Sequence, residues 1–275
     1  MDFGTLIGLI LAITVIVVVM ILDGGSPAEL FANPQTILLT LGGSIVAASI
    51  SAPFETVLGV PKLLALAFKG EKAKGPAMIE ALVKMADKAR REGLLALEGE
   101  SQKINDAFLR KGLMLVVDGV DPAQVRAILE IEIEQMSERH AKGIALINGA
   151  GGFAPTFGII GTVMGLITVL KQLSNPEALG EAIASAFLAT LWGLLSANLI
   201  WLPLGGKLKT KSEEEVAYRR LLLDGVVSIQ AGENPRLLKE KLSSFLPPKE
   251  RGAKEGRGAE AAGASGKTQK ERAGA

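Results

Sequence analysis

The sequence contains no cysteine and a single histidine, His140. Disulfides, thiolate metal sites, a catalytic cysteine and any site built on paired histidines are therefore excluded. It also lacks an excess of either charge, with 30 Lys and Arg against 29 Asp and Glu, so no overall field draws the chain to nucleic acid or to an acidic partner. Whatever the charges do, they do locally. By contrast, 48% of the residues are hydrophobic, 21% are charged and the mean hydropathy is +0.34, too apolar for an ordinary soluble domain.

Four stretches have no charge at all. Residues 3–22 form an uncharged run long enough, at about 1.5 Å per residue, to cross a hydrocarbon core roughly 30 Å thick. Only Met1 and Asp2 precede it and Val17, Val18, Val19 and Met20 close it, so it lacks the basic start and small-residue cleavage site of a signal peptide and is expected to remain in the mature protein. Residues 34–52 are a second span, ended by Pro53, and the two make a transmembrane hairpin over 1–53. Residues 144–170 and 182–204 are the third and fourth, the third interrupted by Gly149–Gly152 and Pro155, the fourth carrying Pro203 near its end. Between spans 2 and 3, residues 54–143 alternate charged and apolar positions at helical spacing, as in Met78, Leu82, Met85 and Ala89 and in Val125, Ile128 and Leu129, the pattern of a water-facing helical domain. Asp121 and Pro122 form an N-cap and N1 pair whose helix is expected to run on into span 3. Residues 205–248 read as C-terminal helices. Residues 249–275, rich in Gly, Ala, Lys, Arg and Glu, have too few large apolar residues to fold. The expected fold is all-α: a polytopic membrane protein with four transmembrane helices and a large cytoplasmic helical domain between spans 2 and 3.

Orientation follows from the basic residues, because Lys171 is the only one of the 30 outside residues 54–142 and the segment after Leu204. The positive-inside rule then places both basic segments and both termini in the cytoplasm, leaving 23–33 and 171–181 as short outer loops.

Spans 3 and 4 carry small residues at every fourth position: Ala150, Ala154, Gly158 and Thr162 with Gly161 and Gly165 beside them, and Ser185, Ala189, Gly193 and Ala197. Such stripes either let helix backbones pack closely or leave room along a pore. Thr162, Thr190 and Thr36 offer hydroxyls that either line an ion path or bond back to their own helices. Asn198 is expected to bond across helices. Neither span holds an ionisable residue, so an ion path here needs a carboxylate from another chain. Pro155 and Pro203 each remove a backbone donor and allow a bend. In the cytoplasmic segment, Arg90 and Arg91 precede Gly93 and an apolar patch, with Glu98 and Glu100 following; nothing in their spacing names a partner, and a solvated face is the default for such a run. His140 is read as a surface residue.

Leu41–Ser44, Ala89–Glu98, Ala154–Leu166, Gly232–Arg236 and Phe245–Pro248 together resemble the MotA family, the A subunits of bacterial flagellar stators within the MotA/TolQ/ExbB superfamily. The likeness covers roughly residues 1–248. It implies a motor component and not an enzyme, with no cofactor and no metal site, in the bacterial inner membrane. It implies a homo-oligomeric ring around a dimer of single-span MotB/PomB-type B subunits whose Asp binds the transported ion, contact with membrane lipid and with the rotor switch protein FliG, and no nucleic acid. By motif position, Arg90 and Glu98 correspond to rotor-contact charges with Arg91 contributing, and Pro155 and Pro203 to prolines flanking the ion path. Thr162, Thr190 and Thr36 match the threonines of the sodium-driven PomA and MotP type, which favours Na+ over H+, hydroxyl ligands suiting a hard cation. Gly158, Gly161, Gly165, Ala189 and Gly193 are assigned to helix packing. The alternatives are a TolQ/ExbB-type envelope motor, disfavoured by four spans, and a secondary transporter or membrane scaffold, for which no inverted repeat is present.

Overall fold

The computed structural model describes residues 3–70, 75–171 and 176–248; the expected tail at 249–275 lies outside them. Among the described residues there is no strand. The elements are α1 (Phe3–Leu22), α2 (Pro34–Ile50, with a π turn at Leu38–Gly42), α3 (Phe54–Leu58), α4 (Val60–Phe68), α5 (Gly75–Glu92), the single-turn α6 (Glu98–Ser101), α7 (Ala107–Val117) and the 50-residue α8 (Pro122–Lys171). Then α9 starts as Pro176–Leu195, passes a π turn at Ser196–Trp201 and continues as Leu202–Gln230, and α10 is Pro235–Ser243.

Two compact units divide the chain, one of residues 1–71 and 136–213, the other of 72–135 and 214–275. Their cores are built of different material. The first packs Ala48, Ala67, Ala150, Ala154 and Ala197 with Leu146, Ile147, Trp201, Leu204 and Leu208, and turns large apolar side chains outward, with Leu22 79% and Ile50 84% exposed and Ile159, Val163 and Leu170 likewise outside. An apolar surface that extensive is untenable in water and ordinary in hydrocarbon, where helix contact brings no hydrophobic gain and small residues at the seam supply the packing. The second unit has the opposite arrangement. Leu82, Leu97, Leu109, Leu113, Leu129, Leu222, Leu238 and Leu242 are buried together, the large-residue core that burial from water drives.

Local signals set the helix ends. Asp106 Oδ1 accepts from the backbone N–H groups of Phe108 and Leu109 at 3.0 Å each, starting α7. Asp121 Oδ1 accepts from Ala123 N–H at 2.9 Å with Pro122 at the first helical position, and the helix so opened does run into the third apolar stretch without a break. At about 1.5 Å per residue α8 is far longer than a bilayer core is thick, so only part of it lies in lipid. Gly149–Gly152 and Pro155 do not interrupt it. The helix of the fourth apolar stretch likewise does not stop near Leu204 but continues to Gln230. Pro203 offers no N–H to the Leu199 carbonyl and its ring crowds it, and the π turn just upstream widens the helix where that bond is missing. In α2 the π turn is served differently: the Thr40 hydroxyl donates to the Thr36 carbonyl at 2.8 Å, supplying a donor where the wider turn frees an acceptor.

Candidate functional site

The seam between the apolar halves of α8 and α9 is a backbone contact. A Cβ on Gly193 would stand 2.8 Å from the Ala154 carbonyl oxygen and 2.9 Å from Gly158 Cα; one on Gly158 would stand 3.0 Å from the Ala189 carbonyl oxygen. One turn outward, Cβ atoms on Gly161 and Gly165 would each come 2.6 Å from the methyls of Ala189 and Ala186. Of the two readings that the small-residue stripes allowed, close packing is the one realised between these two helices.

That closeness joins Thr162 and Thr190. Their hydroxyls hydrogen-bond each other, and Thr162 Oγ1 also lies 3.0 Å from the Ala186 carbonyl oxygen and 3.1 Å from its own Gly158 carbonyl oxygen. One hydroxyl proton cannot serve three acceptors, so two hydroxyls and two carbonyls share too few protons: an oxygen-rich cluster of the kind that suits a hard cation. Nothing nearby balances a cation's charge, since α8 from Ile144 to Leu170 and α9 from Ala182 to Leu204 contain no Asp or Glu. The cluster is incomplete without an acid from elsewhere.

Thr36 does not join it. Buried in α2, its hydroxyl donates to the Asn33 carbonyl at 2.7 Å, a bond to its own helix start. Two side chains that sequence reasoning missed fasten that end of the unit: Asn33 Nδ2 donates to Ser185 Oγ, and Trp192 Nε1 donates to the Leu30 carbonyl at 2.7 Å while its ring meets Phe31 edge-on at 5.7 Å. No local pattern signals such pairs. Asn198, expected to bond across helices, instead donates to Leu194 O of α9 at 2.9 Å, because one turn back its own helix offers an acceptor. His140 is half-buried and not a plain surface residue, with Nδ1 3.0 Å from Ser212 Oγ. Pro155 is half-buried within continuous helix and Pro203 is exposed beyond the π turn.

In the other unit α5 ends at Arg90 and Arg91, Gly93 turns the chain with φ +85°, a conformation that L side chains resist, and α6 begins at Glu98. Ala89 and Leu97 are buried, which holds the neighbouring charges outward. Arg90 and Glu98 are exposed and neither side chain has an ion-pair partner among the described residues. Arg91 differs, because Asp87 takes it twice, Nη2 at 3.0 Å and Nε at 3.1 Å, so its charge is largely answered within α5. Beside them Glu100 accepts from Lys88 at 3.0 Å and Lys103 at 3.3 Å. The hydrogen bond from Lys88, with that of Lys103, holds the Glu100 carboxyl below its ordinary range, and the bond to Glu100 raises Lys88.

Residues 100–220 match the MotA/TolQ/ExbB proton channel family. Motility protein A of Bacillus subtilis is 42% identical over 91% of this chain and 93% of its own length. The chemotaxis protein PomA of Vibrio alginolyticus is 38% identical over 90% and 96%. The chain belongs to this family, on its motility protein A branch. Solved structures agree. A chain of the C. jejuni MotAB structure superposes with a TM-score of 0.86 at 35% identity, covering 90% of this chain and 97% of that one. A chain of the Bacillus subtilis flagellar MotAB stator complex gives 0.84 at 40% identity over 91% and 98%. Membership makes this a membrane protein of the MotA kind with the all-α architecture described above.

Proposed function

We propose that this chain is the A subunit of a flagellar stator, coupling cation flow across the inner membrane to torque on the rotor. The observation that carries the reading is the Thr162–Thr190 oxygen cluster on a tightly packed seam with no acid of its own, in a chain alike over nine-tenths of its length to chains of solved MotAB assemblies. A single-span B subunit of the MotB/PomB type supplies the missing Asp, and several A chains form a ring around a B dimer. Hydroxyls and carbonyls replace part of a cation's hydration shell, which a proton does not require, so Na+ is the favoured ion. The basic segments, and with them both termini, face the cytoplasm, which puts Arg90 and Glu98 where rotor charges of FliG can meet them. Thr36 stands at the outer approach, and Pro155 and Pro203 allow the third and fourth spans to flex.

The test is deletion of the gene in its host with swimming and filament number scored together. Paralysed cells with normal filaments are expected, because a stator turns flagella without building them. Cells lacking filaments would overturn the reading.

A further inference from the structure

In the membrane unit a cavity of about 480 Å³ lies between α1, the end of α4 and α9. One wall is Gly4, Gly8 and Ala12, on one face of α1; Pro203 and Phe68 stand on other sides. These glycines differ from those of the α8–α9 seam. A Cβ built on Gly8 meets nothing within 4 Å, so the face borders open space, not a neighbouring backbone. One end of the cavity is polar, because Lys207 and Thr210 line it one helical turn apart on α9, just past the point where the uncharged run ends at Leu204. The Lys211 ammonium donates to the Lys69 carbonyl, tying the end of α4, and Phe68 with it, to α9.

A slot that is apolar along its membrane length and cationic at its water end has the same gradation as one class of molecule. We propose that this cavity binds an anionic phospholipid, an acyl chain lying along Gly4, Gly8 and Ala12 and the phosphate at Lys207 with Thr210 beside it. A protein helix would fill the apolar part but has no need of the lysine at its end, which is why the lipid is the occupant favoured. Assigning the lipid to the cytoplasmic leaflet rests on the orientation proposed above; the binding itself does not.

The experiment is native mass spectrometry of the full chain in mild detergent, titrated with dioleoylphosphatidylglycerol or dioleoylphosphatidylcholine. Phosphatidylglycerol is expected to be retained in preference to phosphatidylcholine. Lys207→Gln should lower that preference by about fivefold, the worth of one basic residue near an anionic lipid, and Lys207→Arg should restore it. Gly8→Leu, whose side chain enters the open space, should lower retention of both lipids. Equal retention of the two lipids, or no effect of Lys207→Gln, overturns the proposal. So does a Gly8→Leu chain that keeps its lipid while its oligomer mass falls, which would assign the slot to a protein helix. Circular dichroism of each variant separates loss of fold from loss of lipid. Because bound mass is read without motility, this outcome and that of the gene deletion can fail independently.

Discussion

Replacing Gly193 by Ala adds one methyl at the tightest point of the α8–α9 seam. Its nearest neighbours would be backbone, the Ala154 carbonyl oxygen at 2.8 Å and Gly158 Cα at 2.9 Å, and backbone cannot rotate aside as a long side chain can. Ordinary carbon contacts lie near 3.5–4.0 Å, so the helices must part by roughly 0.5–1 Å. Overpacking of that kind costs about 1–3 kcal/mol, and at about 2–4 °C per kcal/mol for a chain of this size it lowers the melting temperature by several degrees. The same parting stretches the bond from Thr162 Oγ1 to the Ala186 carbonyl, now 3.0 Å, toward or beyond the hydrogen-bonding limit. Gly152→Ala is the control, since its added methyl meets nothing within 4 Å. Thermal unfolding of the purified chain, followed by circular dichroism, together with swimming speed of cells carrying each variant, measures both effects. Gly193→Ala is expected to be less stable and slower, and Gly152→Ala unchanged. Equal behaviour of the two variants would refute the claim that backbone contact at this seam sets the geometry of the threonine pair.

Thr162→Ala and Thr190→Ala should each weaken sodium-dependent swimming while leaving the chain folded, and an unchanged speed across a sodium titration would remove the hydroxyls from the ion path. Arg90→Glu should impair torque without loss of membrane assembly, whereas Arg91→Glu, which leaves Asp87 facing like charge within α5, should act more through local stability; comparing motility with amounts of membrane-inserted protein separates them. Glu100 is held below its ordinary pKa of 4.5, so its contribution is present above that value and lost as pH falls through the lowered one. Lys88 is raised above 10.5, so its share is present below that value and lost only as pH rises through the raised one. Hydrogen exchange of residues 94–103 should therefore be flat between those limits and rise in acid. Tyr218, the only tyrosine, is pushed up to about 12 by burial and by the Asp106 carboxylate. Its tyrosinate absorbance should appear near that pH, and stability should fall from about pH 10 upward as the unfolded phenol ionises first.

Helix identity was legible in the sequence wherever one physical signal dominated. Uncharged length marked the four apolar stretches, and the spacing of Met85 and Ala89 or of Val125 and Leu129 marked buried faces that are indeed buried. Helix ends in lipid were not legible. Glycine and proline terminate helices in water because the freed backbone groups are better solvated there; in a packed membrane unit no water competes, so Gly149–Gly152 and Pro155 leave α8 intact. For the same reason Pro203 is accommodated by a π turn and not by an end. Side-chain pairing was legible only in part. Thr162 and Thr190 stood out as hydroxyls on small-residue stripes, but that they meet each other depends on the register of α8 against α9, which the glycines fix only in three dimensions. Nor does spacing reveal that Asp87 occupies Arg91 and leaves Arg90 open.

The absence of acid from the seam has an energetic logic of its own. An ionised carboxylate among Ala186, Ala189 and Gly158 would be costly until a cation or partner arrived, and the two helices could not approach to backbone contact around it. Hydroxyls carry no such cost, because each can bond to a carbonyl of its own or the facing helix while waiting, as Thr162 does. A chain that keeps only hydroxyls and carbonyls at this point therefore folds tightly by itself and still offers oxygen to a cation. On the proposed reading the charge that makes a cation stable there comes with the second chain, so the ion path is complete only where the two chains meet, and an unassembled chain holds no favourable ion site within the membrane.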